Sequence, residues 1–325
     1  MTMNWLRRTA VLAACASAAL LTACGSSSVE SAFTPTRIVS FGDALSDVGQ
    51  TGTRFTINDG SPNNIWAEQF AVKYGTTLKA VSDGGTGYAR GNARVSASPD
   101  AAGEVTTLTL KQQIDAFLSA DSIREGDMLV VNGGISDVIA QMAAVTAGTI
   151  SPDDMVNNTT AAGREMGAQV RRLVDAGAKH VVVVGAYNLG RSPWAASIGQ
   201  TNLLERASIV SGTQGQGFNN GLLSRISDLG DHVRYIDAAF YFNLLINSPG
   251  NYSLDNSVTP VCTSVDSGNG IGIGAGQVSS ALCTLNTLLP GANRDRYAFA
   301  DPVYFTPVVN RLFGVYAYDQ VRQRW

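Results

Sequence analysis

Polar side chains suited to nucleophilic and acid–base chemistry follow two apolar stretches of this sequence. Ser46 comes shortly after the stretch 37–41, and Ser136 follows the stretch 127–132. Near the C-terminus, Asp301 precedes Tyr304 by three residues. A hydroxyl attacks a carbonyl efficiently only when a base takes its proton, and a phenol with an unperturbed pKa of about 10 is itself protonated at neutral pH. The chain therefore offers hydroxyls and a carboxylate here, but Tyr304 cannot serve as their base.

The only side chains that could replace such a base are the two histidines of the chain. His180 and His232 each stand at the start of an apolar stretch, before the predicted strand rather than after it. Ligands of open parallel sheets bind outside the carboxyl ends of the strands. We therefore expect both histidines at the opposite edge, as surface or strand-capping residues.

Apolar stretches typical of strands alternate with segments of helical periodicity from Arg37 onward. The predicted strands cover 37–41, 127–132, 180–184 and 232–237, and the predicted helices cover 108–120, 152 to about 177, 222–229 and 307 to the C-terminus. Ser151 before Pro152 predicts a capped helix start. Val-rich strands separated by helices indicate a parallel sheet covered on both faces. We predict a single α/β domain over 37–325, a three-layer α/β/α sandwich.

Four segments, in order along the chain, resemble the motif blocks of the SGNH/GDSL ester hydrolases. The sequence FGDALSD at 41–47 is similar to the family's FGDSLSD, and GYARGNA at 87–93 resembles NYAxGGA. The sequence GISD at 134–137 stands where the family has GxND, and ADPVY at 300–304 where it has ADxxHPT. The resemblance implies the SGNH/flavodoxin-like fold, with the blocks at the carboxyl ends of the strands.

The resemblance also assigns catalytic roles, and two of the positions that carry them are changed. Ala44 occupies the position of the nucleophilic serine, and Tyr304 occupies that of the histidine base. Asp301 is retained at the position of the carboxylate that orients the base. In such a triad the serine hydroxyl attacks after the imidazole takes its proton. A methyl group and a protonated phenol do neither.

The positions that hold the oxyanion in the family are partly changed as well. A backbone N–H of the second block is one donor, and the alignment leaves Gly91 and Asn92 both open for this role. The other donor is an asparagine side chain in the family, and Ser136 stands in its place. Its shorter hydroxyl reaches less far, and loss of one such donor typically slows the reaction by about 10²–10³-fold.

These departures favour a catalytically impaired homologue that acts as an envelope binding or accessory protein. Its crevice is then expected to hold an acyl ester, a glycan or a polymer fragment, contacted by Trp66 or Trp194 unless these are core residues. One alternative is a weak carboxylic-ester hydrolase that uses Ser46 or Ser136 with Asp301. Another is a purely structural protein whose crevice is filled by side chains.

The N-terminus is typical of an exported lipoprotein. Two arginines precede an apolar stretch at 9–21 that is too short to span a bilayer, and small residues lead to Cys24. We predict a signal peptide at 1–23, lipidation of Cys24 and a Ser-rich tether at 24–36. Cys15 also follows small residues but would leave a very short apolar region. No aspartate follows Cys24, which favours the outer membrane.

The remaining cysteines and the composition limit the other possibilities. Cys262 and Cys283 are expected to form a disulfide in an oxidising periplasm, since two cysteines cannot close a zinc site. The formal net charge is −3, which gives no reason to expect nucleic acid as a partner. We expect no metal and no cofactor. The Gly-rich segment 268–276 is expected to be a flexible surface loop rather than a phosphate-binding loop.

Overall fold

The computed structural model describes residues 33–209 and 215–325. The predicted signal peptide at 1–23, the lipidation site at Cys24 and most of the tether at 24–36 lie outside these residues. Within the described ranges, no helix has both the length and the apolar character needed to cross a membrane.

Four parallel strands form one sheet, with neighbours in chain order. They are β1 (Arg37–Phe41), β2 (Asp127–Asn132), β3 (Val181–Val184) and β4 (Val233–Ile236). An isolated parallel bridge joins Ser40 to Gly87 on the side of β1 that faces away from β2. All residues of β2 and β3 are buried, as expected for strands covered on both faces. The predicted α/β fold with a central parallel sheet is confirmed.

Nine α-helices lie in the described part of the chain. They are α1 (Trp66–Lys73), α2 (Leu110–Ala120), α3 (Ile135–Thr146), α4 (Pro152–Asp175), α5 (Pro193–Ser197), α6 (Thr201–Ser208), α7 (Phe218–Ile226), α8 (Ala238–Asn247) and α9 (Pro307–Arg322). The predicted start of α4 is confirmed, because the Ser151 hydroxyl accepts the Asp154 N–H at 3.1 Å and Pro152 is the first helical residue.

The helices cover the two faces of the sheet in separate groups. Helix α4 contacts β3, α2 and α7, whereas α9 contacts β4 and α1. Aromatic rings join α8 to α9, since Phe242 lies 4.7 Å from Phe313 and stacks on Phe305 at 4.1 Å. This aromatic group lies next to the C-terminal motif. The motif segments meet at the carboxyl edge of the sheet.

A largely irregular segment between α8 and the C-terminal motif carries the two remaining cysteines. Cys262 and Cys283 form a disulfide with their Cα atoms 5.9 Å apart, which agrees with the predicted pairing. Both are buried in a small apolar cluster with Ile57, Val261 and Ala300. The Cys262 N–H donates to the Ala300 carbonyl at 3.0 Å. The disulfide thus closes this segment on itself, and the backbone hydrogen bond holds it against Ala300, the residue that precedes Asp301.

Candidate functional site

The turn that follows β1 is held by hydrogen bonds between its backbone and a side chain of α2, and it passes close to the end of β2. Gly42 has a φ of +155°, and a Cβ there would lie 2.5 Å from the Asn132 carbonyl oxygen, so only glycine fits. Its N–H donates to Gln113 Oε1 at 2.8 Å, and Gln113 Nε2 donates to its carbonyl at 2.9 Å. The turn places Ala44 next, with its side chain fully buried. The nucleophile position therefore offers a methyl group inside the core.

Asp43 links this turn to the start of α3. Its carboxylate accepts the Leu45 N–H at 3.1 Å and the Ile135 N–H at 3.2 Å, where the unpaired N–H groups of a helix N-terminus lie. Burial raises the pKa of Asp43 to about 7, and these hydrogen bonds oppose the rise. Asp43 therefore holds the first and third motif blocks together.

Ser46 is occupied by hydrogen bonds within the core. Its hydroxyl accepts the Trp66 indole N–H at 3.1 Å and donates to Asn132 Oδ1 at 3.1 Å. All three side chains are buried. These two hydrogen bonds connect the segment after β1 to α1 and β2. Among the described residues, no histidine or other base forms a hydrogen bond with the Ser46 hydroxyl.

Asp47 holds the second motif block against the first. One carboxylate oxygen accepts the N–H groups of Gly49 and Gln50, each at 2.9 Å, and the other accepts the Gly91 N–H at 2.7 Å. Burial raises the pKa of Asp47, and the three backbone hydrogen bonds oppose the rise. The Gly91 N–H is therefore already bonded, which leaves Asn92 as the better of the two oxyanion candidates.

Asn92 is held in the left-handed region, with φ of +61°. Its Nδ2 donates to the Gly270 carbonyl at 2.9 Å, while its Oδ1 is buried without a hydrogen-bond partner in the described residues. Gly270 belongs to the Gly-rich segment 268–276, in which Ile271 is buried. The segment is a loop, as predicted, but Ile271 anchors it to the core beside the second block.

Asp301 is retained, but its carboxylate is fully engaged by the backbone. Oδ1 accepts the N–H groups of Val303 at 2.8 Å and Tyr304 at 2.7 Å, and Oδ2 accepts the Ser280 N–H at 2.8 Å. Burial raises the pKa of Asp301 to about 6. In place of orienting an imidazole, Asp301 closes the C-terminal turn and fixes it to the disulfide segment.

Tyr304 fills the centre that these turns enclose. Its side chain is fully buried, and the Ser136 hydroxyl lies beside its phenol without completing a hydrogen bond. Neither hydroxyl has a partner within the described part of the chain. Burial, with the nearby charges of Asp43 and Asp301, raises the pKa of Tyr304 well above its ordinary value. The phenol is therefore protonated at every physiological pH.

Phe55 closes the space between the second block and Tyr304, and sequence reasoning missed it. Its ring lies 5.5 Å from the Tyr304 ring in an edge-to-face arrangement. A Cβ on Gly91 would lie 2.2 Å from the Phe55 ring, so the ring rests directly on that glycine. Phe55 lies in an irregular loop with no periodicity, and no local pattern indicates that its ring reaches Gly91.

The other residues considered from the sequence lie away from this centre or in the core. His180 and His232 directly precede β3 and β4, at the edge opposite the motifs. His180 stacks on Phe33 at 3.6 Å. Trp66 and Trp194 are both buried, as core residues are. In the described residues, no group of three or more His, Cys, Asp or Glu side chains could hold a metal ion.

An open pocket remains beside the closed centre, on the outer side of Phe55. Its volume is about 340 Å³. The loop after β1, the second motif block and the segment 100–107 form its walls. Its lining residues are Asp47, Gln50, Thr51, Phe55, Arg90, Gly91, Asn92, Asp100, Ala102, Glu104, Thr106 and Thr107. Its walls include Gly91 and Asn92, the two oxyanion candidates of the second motif block.

Comparison with known proteins identifies one family. Residues 38–314 match the family model described as GDSL-like Lipase/Acylhydrolase, and all four motif blocks lie within that range. A search of curated proteins found no match.

Proposed function

The chain belongs to the GDSL-like lipase/acylhydrolase family, and we propose that it binds a ligand without hydrolysing it. We propose further that it does so at the bacterial cell envelope, anchored by a lipid on Cys24. The family fold supplies the scaffold of an ester hydrolase.

One observation carries the proposal: the nucleophile and base positions hold Ala44 and Tyr304, and both side chains are fully buried. Loss of the nucleophile or of the base of a catalytic triad lowers kcat by about 10⁶-fold. Here the attacking oxygen and the proton acceptor are both missing. In addition, Ser136 and Tyr304 close the centre, so a substrate carbonyl has no route to it.

The alternative, a weak hydrolase that uses Ser46 or Ser136 with Asp301, has less support. The Ser46 hydroxyl is engaged by Trp66 and Asn132. Ser136 has a hydroxyl without a partner, but it lies beside a phenol that cannot take its proton. The Asp301 carboxylate already accepts hydrogen bonds from three backbone N–H groups, so it is poorly placed to take a proton from either serine.

Ester turnover tests the proposal directly. We expect the purified full chain to leave p-nitrophenyl acetate and butyrate unhydrolysed above the buffer rate. The triple variant Ala44→Ser, Ser136→Asn, Tyr304→His restores the family's residues and is expected to gain measurable turnover. The single variant Ala44→Ser is the matched control and should stay silent, because its hydroxyl still has no base.

Turnover by the unaltered chain would contradict the proposal. A fluorophosphonate probe then identifies the nucleophile, because it attaches to the reactive serine and mass spectrometry locates it. Label on Ser46 or Ser136 would establish the hydrolase alternative without any mutation of these buried residues.

The anchor is tested separately, since it depends on the N-terminal sequence alone. Cells grown with radioactive palmitate should incorporate label into the chain, and Cys24→Ala should abolish it. Cys15→Ala is the control that should keep the label. Label that survives Cys24→Ala but not Cys15→Ala would move the site to Cys15, and loss of neither would exclude lipidation at both.

A further inference from the structure

Helix α8 carries apolar side chains on its outer face as well as on its inner one. Its residues Ala238–Asn247 include no charged side chain. The inner face is buried, whereas Phe240 is 55% exposed and Leu244 is 45% exposed. Among the α-helices in the described part of the chain, only α8 exposes two large apolar side chains. A helix that is apolar on all sides is normally buried, so this outer face indicates a surface that another molecule covers.

The exposed apolar side chains of this region lie together. Phe240 and Leu244 are four residues apart, so they share one stripe of the helix. Ser257 Oγ donates to the Ile246 carbonyl at 3.0 Å, which brings the following residue, Val258, to the last turn of α8. Val258 is 72% exposed. We call Phe240, Leu244 and Val258 the α8 face.

The two ends of α8 carry opposite charges. Asp237 caps its N-terminus, where Oδ1 accepts the Phe240 N–H at 2.9 Å. At the other end, Arg191 Nη1 donates to Asn247 Oδ1 at 3.3 Å. Both charged side chains are exposed. The α8 face therefore has an uncharged centre between a carboxylate and a guanidinium, which the helix separates by about 15 Å along its axis.

A second copy of the chain matches this pattern of charge. A two-fold axis through the α8 face makes the two helices antiparallel, so the N-terminus of each meets the C-terminus of the other. Asp237 of each copy then lies opposite Arg191 of the other, at the rim, and the uncharged centres meet, as in protein interfaces generally. We propose that two copies associate through the α8 face in this antiparallel arrangement, with Phe240 of one copy against Leu244 of the other.

The anchoring bilayer fits the α8 face less well than a second copy does. Phe33, where the described chain begins, stacks on His180 at the edge of the sheet opposite the motifs. Helix α8 starts directly after β4, at the carboxyl edge, and it ends beside Arg191. The tether of the proposed anchor therefore leaves the fold on the side away from α8. The association does not depend on whether the chain hydrolyses esters.

Analytical ultracentrifugation measures the association of the full chain, in a detergent matched in density to the buffer. We expect the particle to change from one copy to two between about 1 and 100 μM, because small interfaces give dissociation constants in the micromolar range. A chain that stays monomeric at the highest concentration would overturn the proposal. Assemblies larger than a dimer would also overturn it, because a two-fold contact closes on itself.

A charge in the centre of the α8 face should prevent the association. Leu244→Asp buries an unpaired carboxylate from each copy and should raise the dissociation constant by at least about 100-fold. Val105→Asp, at an apolar side chain that is 70% exposed and lies outside α8, is the matched control and should leave the dimer unchanged. Circular dichroism checks that both variants fold. Equal association of the two variants would overturn the proposal.

Reversal of the rim charge tests the antiparallel arrangement without changing the apolar centre. Arg191→Glu places like charges opposite each other at both ends of the contact and should raise the dissociation constant by about tenfold. Arg124→Glu, at a side chain that is 60% exposed before β2, is the control at the opposite edge of the sheet and should have no effect. Unchanged association of Arg191→Glu would overturn the antiparallel arrangement.

Contact of the α8 face with the bilayer is a separate outcome. Val258→Cys is labelled with an environment-sensitive dye, and the full chain is reconstituted in phosphatidylcholine vesicles with brominated acyl chains. We expect the fluorescence to equal that in vesicles without bromine, because the α8 face then contacts a second copy and not lipid. Quenching by the brominated chains would assign the α8 face to the bilayer and overturn the proposal.

Discussion

The motif turns and the centre that they enclose differ in how well their buried polar groups are satisfied. In the turns, Asp43, Asp47 and Asp301 each accept two or three backbone N–H groups. In the centre, the hydroxyls of Ser136 and Tyr304 have no partner among the described residues. The retained residues are those that hold the backbone, and the changed residues are those that would carry the reaction.

This difference separates two roles that one motif usually combines. The aspartates close turns and join the blocks whether or not a reaction takes place, because their partners are backbone groups. At the family's nucleophile and base positions, Ala44 and Tyr304 are buried and fill space in the core. A motif match of this kind therefore reports the architecture, and the residues inside the motif decide the activity.

The largest expected effect comes from removing a carboxylate that the turns need. Asp301→Ala leaves three buried N–H groups without an acceptor, at Ser280, Val303 and Tyr304. Each such group costs about 1–3 kcal/mol, so the free energy of unfolding should fall by at least about 3 kcal/mol in urea denaturation. Asp231→Ala, at a side chain that is 93% exposed, is the control and should change little. A loss below about 1 kcal/mol for Asp301→Ala would show that the turn holds without its carboxylate.

The second-largest expected effect is a pH dependence of the free energy of unfolding, which arises from Asp43 in the first motif turn. Burial raises the pKa of Asp43 to about 7, so between about pH 4 and pH 7 the folded chain holds a proton that the unfolded chain has released. Stability therefore falls as the pH rises through this window. Asp43→Asn cannot titrate, and it should reduce that slope by about 1 kcal/mol per pH unit.

Urea unfolding at several pH values within this window measures the two slopes. The opposite trend expected from Asp59 and Asp121 lies at lower pH, because their pKa values are lowered to about 2. Parallel slopes in the original chain and in Asp43→Asn would mean that Asp43 stays ionised in the fold.

The smallest effect compares two fully buried tyrosines that differ in one hydrogen bond. Tyr187 donates to the Val303 carbonyl at 2.7 Å, whereas the Tyr304 hydroxyl has no described partner. Tyr187→Phe should lower the free energy of unfolding by about 1 kcal/mol, and Tyr304→Phe should leave it unchanged or raise it by a similar amount. Equal losses in both variants would show that the Tyr304 hydroxyl is satisfied after all.

Much of the fold was predictable because its elements depend on local patterns. The limits predicted for β1 and β2 are those observed, and β3 and β4 are each slightly shorter than predicted. The capped start of α4 was also predictable, since Ser151 and Pro152 act within one turn. Short helices such as α5 and α6 were not foreseen, because a few residues carry too little periodicity to distinguish a helix from a loop.

The site was predictable in its residues but not in its contacts. Motif order gave the family positions that Ala44, Asp301 and Tyr304 occupy, but it left Gly91 and Asn92 both open as oxyanion candidates. That choice depends on Asp47, whose carboxylate binds the Gly91 N–H from 44 residues away in the chain. The Phe55 ring against Gly91 is a long-range contact of the same kind.

The sequence by itself determined the family, the parallel sheet and the absence of both a nucleophile and a base at the family positions, because these follow from residue type and local order. The tertiary structure alone decided that the centre is filled by Tyr304 and bounded by Phe55, and that an open pocket survives beside it. Packing brings together side chains that are remote in the chain. Whether a crevice is open or filled depends on that packing, which local pattern does not encode.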